Sequence, residues 1–134
     1  PQLFAKANTP EKMDKLSEKE IRTIIREIGL APTKSRNIKK TCKLLLEKHN
    51  GIIPDNFEDL EGLAGVGHKT ASVIMAQAFN IPAFPVDTHI HRLAFRWGLS
   101  NGKNVKTTEE DMKSKFEKKN WNRLHLQMIF YGRQ

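Results

Sequence analysis

Apolar residues recur at helical spacing along most of the chain, and polar stop signals separate the runs. Ile21, Ile24, Ile25 and Ile28 fall on one face of a helix. The preceding "SEKE", Ser17 to Glu20, is a capping box: the Ser17 hydroxyl and the Glu20 carboxylate each satisfy a backbone N–H at the helix start. Gly29 is expected to end that helix. Upstream, Thr9 is placed to cap a helix that opens with Pro10. A longer helix is expected from about Lys34 to His49, with Ile38, Cys42, Leu45 and Leu46 as its apolar stripe and Asn50-Gly51 as its stop.

"DNFE", Asp55 to Glu58, repeats the capping logic before a short helix. Another helix should run from about His68 to Phe79, after which Pro82 and Pro85 break the chain. Asp87 is placed to cap "THIHRLAFRW", which Gly98 closes. "TTEE", Thr107 to Glu110, should start the next helix, and "WNRLHLQMIF" forms the last, ending near Gly132. No segment alternates at period two long enough to be a strand. The expected fold is all-α, about eight short helices with tight connections. It has no solenoid-period repeat and no low-complexity linker.

At 134 residues the chain is the size of one ordinary domain. The start, "PQLFAKANTP", lacks an initiator Met and is expected to continue a longer polypeptide. No run approaches the ~18 consecutive apolar residues of a membrane span. No basic-then-apolar start resembles a signal peptide. The net charge of +8 and a pI of about 9.8 favour a polyanionic partner, nucleic acid first. Cys42 is the single cysteine, which excludes a disulfide framework and a cysteine-based metal site within these residues.

The chemistry concentrates in "LAGVGHKTASV", Leu63 to Val73. Glycine takes positive φ, so Gly65-Val66-Gly67 can reverse the chain sharply and, lacking Cβ, let it approach another surface. The helix that follows presents unpaired N–H groups, which suit a phosphate oxygen. Such contacts position nucleic acid without reading its sequence. Alone, a GxG also fits a plain helix–helix connection.

Lys69 falls in the first turn of that helix, where the dipole disfavours an ammonium. Partial burial would lower its pKa. A lysine that is sometimes neutral is a nucleophile; the alternative is a solvated lysine that pairs with DNA. Asp87, rigid if it caps its helix, could influence that lysine and stabilise positive charge on a substrate. His89 and His91, two apart, do not share a helical face and make no metal pair. GxGxxG and Walker sequences are absent.

"LAGVGHKTA" together with "VDTHIHR" resembles the helix-hairpin-helix DNA glycosylases, specifically the endonuclease III family. The likeness extends over "ANTPEKM", "IGLAPTKSRNI", "LLEKHNG", "LSNGKNV" and "HLQMIFYGR". It implies one glycosylase domain over residues 1–134, mainly the helical-barrel lobe, with its hairpin at 56–79 and truncated at both ends. It also implies base excision repair of oxidised pyrimidines in duplex DNA, with strand cleavage by β-elimination through a lysine Schiff base. By similarity Lys69 is the nucleophile and Asp87 its partner. Relatives that only remove bases lack this lysine. Gly65, Val66, Gly67, His68, Thr70, Lys34, His89 and Arg92 form the expected DNA-contact set.

Two positions depart from the family pattern. Ala64 stands for its usual proline, and His68 for its usual arginine, which weakens a phosphate contact. The family's iron–sulfur cluster is expected only if cysteines follow residue 134. The implied partner is double-stranded DNA with damaged bases or abasic sites, bound by a monomer with no membrane association. The implied location is cytoplasmic in a bacterium, and nuclear or mitochondrial in a eukaryote. The competing readings are a non-catalytic DNA-binding module and a glycosylase without lyase activity.

Overall fold

The computed structural model describes all 134 residues and is all-α, with nine α-helices, one short 3-10 turn and no strand. Its contacts divide the chain into two compact units, Pro1–Val66 and Gly67–Gln134.

The first unit holds α1 (Gln2–Lys6), α2 (Pro10–Lys15), α3 (Glu18–Ile24), α4 (Ala31–His49) and α5 (Phe57–Glu61). Thr9 caps α2, with Pro10 at its first position. Ser17 and Glu20 form the complete capping box at α3. Helix α4 packs against α2 and α3. Ala7, Met13, Ile21, Ile25, Ala31 and Cys42 make their shared core. Asn50 and Gly51 both take positive φ, at 53° and 75°, which ends α4 as the Asn-Gly pair requires.

The second unit holds α6 (His68–Ala78), α7 (Thr88–Arg96), α8 (Val105–Lys115), the 3-10 turn Lys118–Asn120 and α9 (Trp121–Gly132). Helix α7 packs against both α8 and α9. Phe84, Val86, Ile90, Leu93, Ala94, Met112 and Met128 form the core between them. The extended segment between α6 and α7 is fixed by one side chain. Asn122 Oδ1 accepts from Ala83 N–H at 3.0 Å, while its Nδ2 donates to the carbonyls of Ala76 and Ile81 at 3.4 and 3.5 Å. Gly98, at φ 69°, closes α7.

The expected all-α fold of about eight short helices is borne out by nine α-helices. Several boundaries differ from expectation, each for a local reason. Helix α3 stops at Ile24, so Ile28 is exposed instead of completing the buried face. The reversal expected at Gly29 occurs at Leu30, which takes left-handed φ 62° and starts α4 at Ala31, three residues before Lys34. Pro32 suits that first turn, where its missing N–H has no intrahelical partner to lose. Helix α5 is capped by Asn56 rather than Asp55: Asn56 Oδ1 accepts from Asp59 N–H at 2.8 Å. Helix α8 begins at Val105 rather than Thr107, because Asn104 supplies the cap and accepts the Thr107 N–H at 2.8 Å. Asparagine is a stronger cap than threonine.

Leu30 is 74% exposed, so its side chain contributes little packing while its backbone is strained. A left-handed non-glycine residue costs about 1–2 kcal/mol, and glycine returns about 0.5–1 kcal/mol of unfolded-state entropy. Leu30→Gly is therefore expected to stabilise the protein by about 0.5–1 kcal/mol in urea unfolding. A loss of stability would show that the side chain packs.

Candidate active site

The loop between α5 and α6 is built from unequal glycines. Gly65 takes φ 77°. A Cβ on it would lie 2.6 Å from Asn37 Nδ2 and 3.2 Å from Asn37 Cβ, so both conformation and space require glycine. The loop is anchored to α4, because the Thr41 hydroxyl donates to the Ala64 carbonyl at 2.9 Å. Val66, half-buried, donates its N–H to the Leu63 carbonyl at 3.2 Å. Gly67 is different. It has ordinary extended backbone, φ −91° and ψ −179°, and a Cβ there would meet nothing within 4 Å. No intramolecular constraint asks for glycine at 67.

Gly67 is the N-cap of α6, and no side chain caps that helix. Helices α2, α3, α5, α7 and α8 are each capped by their own Thr, Ser, Asn or Asp. The N-terminus of α6 thus presents backbone donors without a local acceptor side chain. His68, Lys69 and Thr70 make its first turn and are exposed.

Lys69 opens on a cavity of about 470 Å³ within the second unit. Three further lysine or histidine side chains line it, His68, Lys106 and Lys113, together with Glu109 and Glu110. Val86 lines it too, and the next residue is Asp87. Asp87 caps α7, with Oδ1 accepting the Ile90 N–H at 2.8 Å, and is half-buried. No salt bridge joins Lys69 to Asp87; the two residues are related through Val86, which precedes one and shares the other's cavity.

Glu109 was not legible as part of this site. It is 7% exposed, and both of its oxygens are engaged. The His68 Nε2–H donates to them at 3.0 and 3.2 Å, and Lys113 Nζ donates at 2.5 Å. Lys113 also stands 5.4 Å from the centre of the Trp121 ring. The available signals were the Glu109/Lys113 spacing of four and the position of Glu109 three residues before the buried Met112, on the core-facing side of α8.

The remaining expected contacts are dispersed. His89 Nδ1–H and an Arg92 guanidinium N–H both donate to the Gly132 carbonyl at 2.8 Å, so these two tie α7 to the end of α9. The Arg92 side chain remains exposed. His91 meets the Thr108 hydroxyl at 2.8 Å within the packed unit. Lys34, exposed, lies in the first unit on a larger, mainly apolar cleft of about 990 Å³ that carries neither Lys69 nor Asp87. Cys42 lines the same cleft, and no group of three or more His, Cys, Asp or Glu could hold a metal ion. An iron–sulfur cluster uses four thiolates or their equivalents. One buried cysteine does not fit that group.

His125 is also new to the site's surroundings. It is 1% exposed, and its Nδ1 has no hydrogen-bond partner. Burial pushes its imidazole down from the ordinary value, while the Trp121 and Asn122 carbonyls and the Asp87 charge partly oppose this.

The chain belongs to the HhH-GPD superfamily of base excision DNA repair proteins, whose family model matches residues 1–118. It is similar to endonuclease III of Escherichia coli (strain K12), 46% identical over 110 residues, covering 82% of this chain and 52% of the relative. It is also similar to endonuclease III of Haemophilus influenzae, 43% identical over 131 residues, covering 98% and 62% respectively. The chain thus spans about half to three-fifths of the length of these relatives. A trapped endonuclease III–DNA covalent intermediate superposes with a TM-score of 0.95 at 39% identity, over 98% of this chain and 62% of that one.

Gly65→Ala should lose about 1–2 kcal/mol of stability, from backbone strain alone. Gly67→Ala should leave thermal unfolding unchanged, and equal losses at the two positions would contradict this assignment. A second measurement concerns His125. Its native imidazole stays neutral to lower pH than in the unfolded chain, so the unfolded state binds the extra proton first. Its contribution is complete above the unfolded value near 6.5 and declines as pH falls below it. Stability should therefore drop between about pH 7.5 and 5.5, and His125→Gln should flatten that slope. A wild-type slope retained in the variant would assign the titration elsewhere.

Proposed function

We propose that the chain carries the reactive core of a bifunctional DNA glycosylase and AP lyase of the endonuclease III type, acting on oxidised pyrimidines in duplex DNA. The observation that carries this is Lys69: an exposed amine on the uncapped N-terminus of α6, opening on a cavity one residue from the half-buried carboxylate of Asp87. The likeness to endonuclease III, including a covalent enzyme–DNA intermediate of that protein, supports the reading.

In this mechanism the damaged nucleotide is rotated out of the stack. Neutral Lys69 Nζ attacks the sugar C1′, and the C1′–N bond breaks with its electron pair leaving on the base, which is protonated. Asp87 stabilises the positive charge that develops on the sugar. Ring opening yields a Schiff base between Nζ and C1′. Loss of a C2′ proton then expels the 3′ phosphate, and hydrolysis frees the lysine. Gly65, Val66, Gly67, His68 and Thr70 hold the backbone through α6 donors, and the net charge of +8 favours that partner. Lys34, His89 and Arg92 complete the contact set, the last two from positions they also use to join α7 to α9.

Residues 1–134 act as one functional domain, as a monomer, with the hairpin at 56–79. An iron–sulfur cluster, as in the family resemblance, would draw its thiolates from outside these residues. No helix here is long and apolar enough to cross a membrane. A DNA substrate places the protein in the cytoplasm of a bacterium, or in the nucleus or mitochondrion of a eukaryote.

Incubation with abasic-site duplex and borohydride should give a covalent adduct. Lys69→Gln should abolish it while DNA affinity stays near wild type. Base release without an adduct would identify a glycosylase that activates water. DNA binding with neither base release nor adduct would identify a non-catalytic module.

A further inference from the structure

We propose that Glu109 is a positioning residue for the Lys69 reaction: its carboxylate, gripped between His68 and Lys113, fixes the first turn of α6 and so the point from which the Lys69 amine reaches the sugar. This rests on the reading of Lys69 as the nucleophile.

Five features of the second unit lead here. Helix α6 has no side-chain cap, so its own sequence does not anchor its first turn. Glu109 reaches that turn from α8, 41 residues further along the chain, and meets His68, the immediate neighbour of Lys69. The carboxylate is buried, and a buried carboxylate is stable only when paired and hydrogen-bonded. Its second oxygen is held by Lys113, which is itself seated against Trp121. His68, Lys69, Glu109 and Lys113 all line one cavity, so the anchor and the amine border the same space.

The arrangement makes Glu109 more than a surface ion pair. Take away its charge, and His68 and Lys113 no longer share a two-oxygen carboxylate beside Lys69. Reaction rates depend steeply on placement: a shift of about 1 Å can cost about 10²-fold. DNA affinity is spread over many backbone contacts and should respond far less. Glutamine keeps the size of Glu109 but offers a single acceptor oxygen. Aspartate keeps the charge on a shorter arm.

The test uses the full chain and a duplex with one abasic site, with single-turnover borohydride trapping at saturating protein and a separate binding titration. Glu109→Gln should slow trapping by about 10²-fold with Kd changed less than about threefold. Glu109→Asp should recover part of the rate. The double variant His68→Ala/Glu109→Gln should lose less than the two single losses combined, because both changes remove the His68–Glu109 contact. If Glu109→Gln does not fold, His68→Ala carries the same expected rate loss. Trapping at the wild-type rate in Glu109→Gln or His68→Ala overturns the proposal, as do losses that simply add in the double variant. Wild-type protein that never traps overturns the reading of Lys69 instead.

Discussion

The site depends on a helix end that its own sequence does not close. Most helices of this protein begin with a side chain that accepts their first N–H groups, and α6 begins with a glycine. Two consequences follow from that one absence. The backbone donors at 68–70 stay available to something outside the helix. The first turn, without a local cap, meets a distant carboxylate, Glu109, through His68. Lys69 stands between the two, on a terminus whose dipole opposes its charge.

The two glycines of the loop separate the demands of folding from those of contact. Gly65 satisfies the chain itself: it takes a left-handed conformation and leaves room for Asn37. Gly67 satisfies nothing within the protein, since its backbone is ordinary and its surroundings are open. Small size at 67 has a purpose only if another surface comes close. Asp87 likewise has two tasks. Capping α7 accounts for its rigidity and occupies Oδ1. It also directly follows Val86, which lines the Lys69 cavity.

Local features were readable in the sequence, and long-range ones were not. Thr9, Ser17 and Asp87 cap helices as expected because a cap is decided within three or four residues. The start of α4 was missed because Leu30 adopts a left-handed conformation that leucine disfavours. The caps of α5 and α8 were displaced by one and three residues, where neighbouring polar side chains competed and asparagine won. Lys69 and Asp87 were singled out as candidates because a motif carries them. Glu109 could not, because its partner His68 is 41 residues away and no spacing rule joins them. His89 and Arg92 were read as outward contacts, and their hydrogen bonds to Gly132 depend on how α7 meets α9.

The proposed chemistry requires the amine at the start of α6 to be the group that bonds to the sugar. Peptide mass spectrometry of the borohydride-reduced adduct with abasic-site DNA locates that bond. The modification should fall on Lys69 alone. A sugar remnant on Lys106 or Lys113 of the same cavity instead would contradict it.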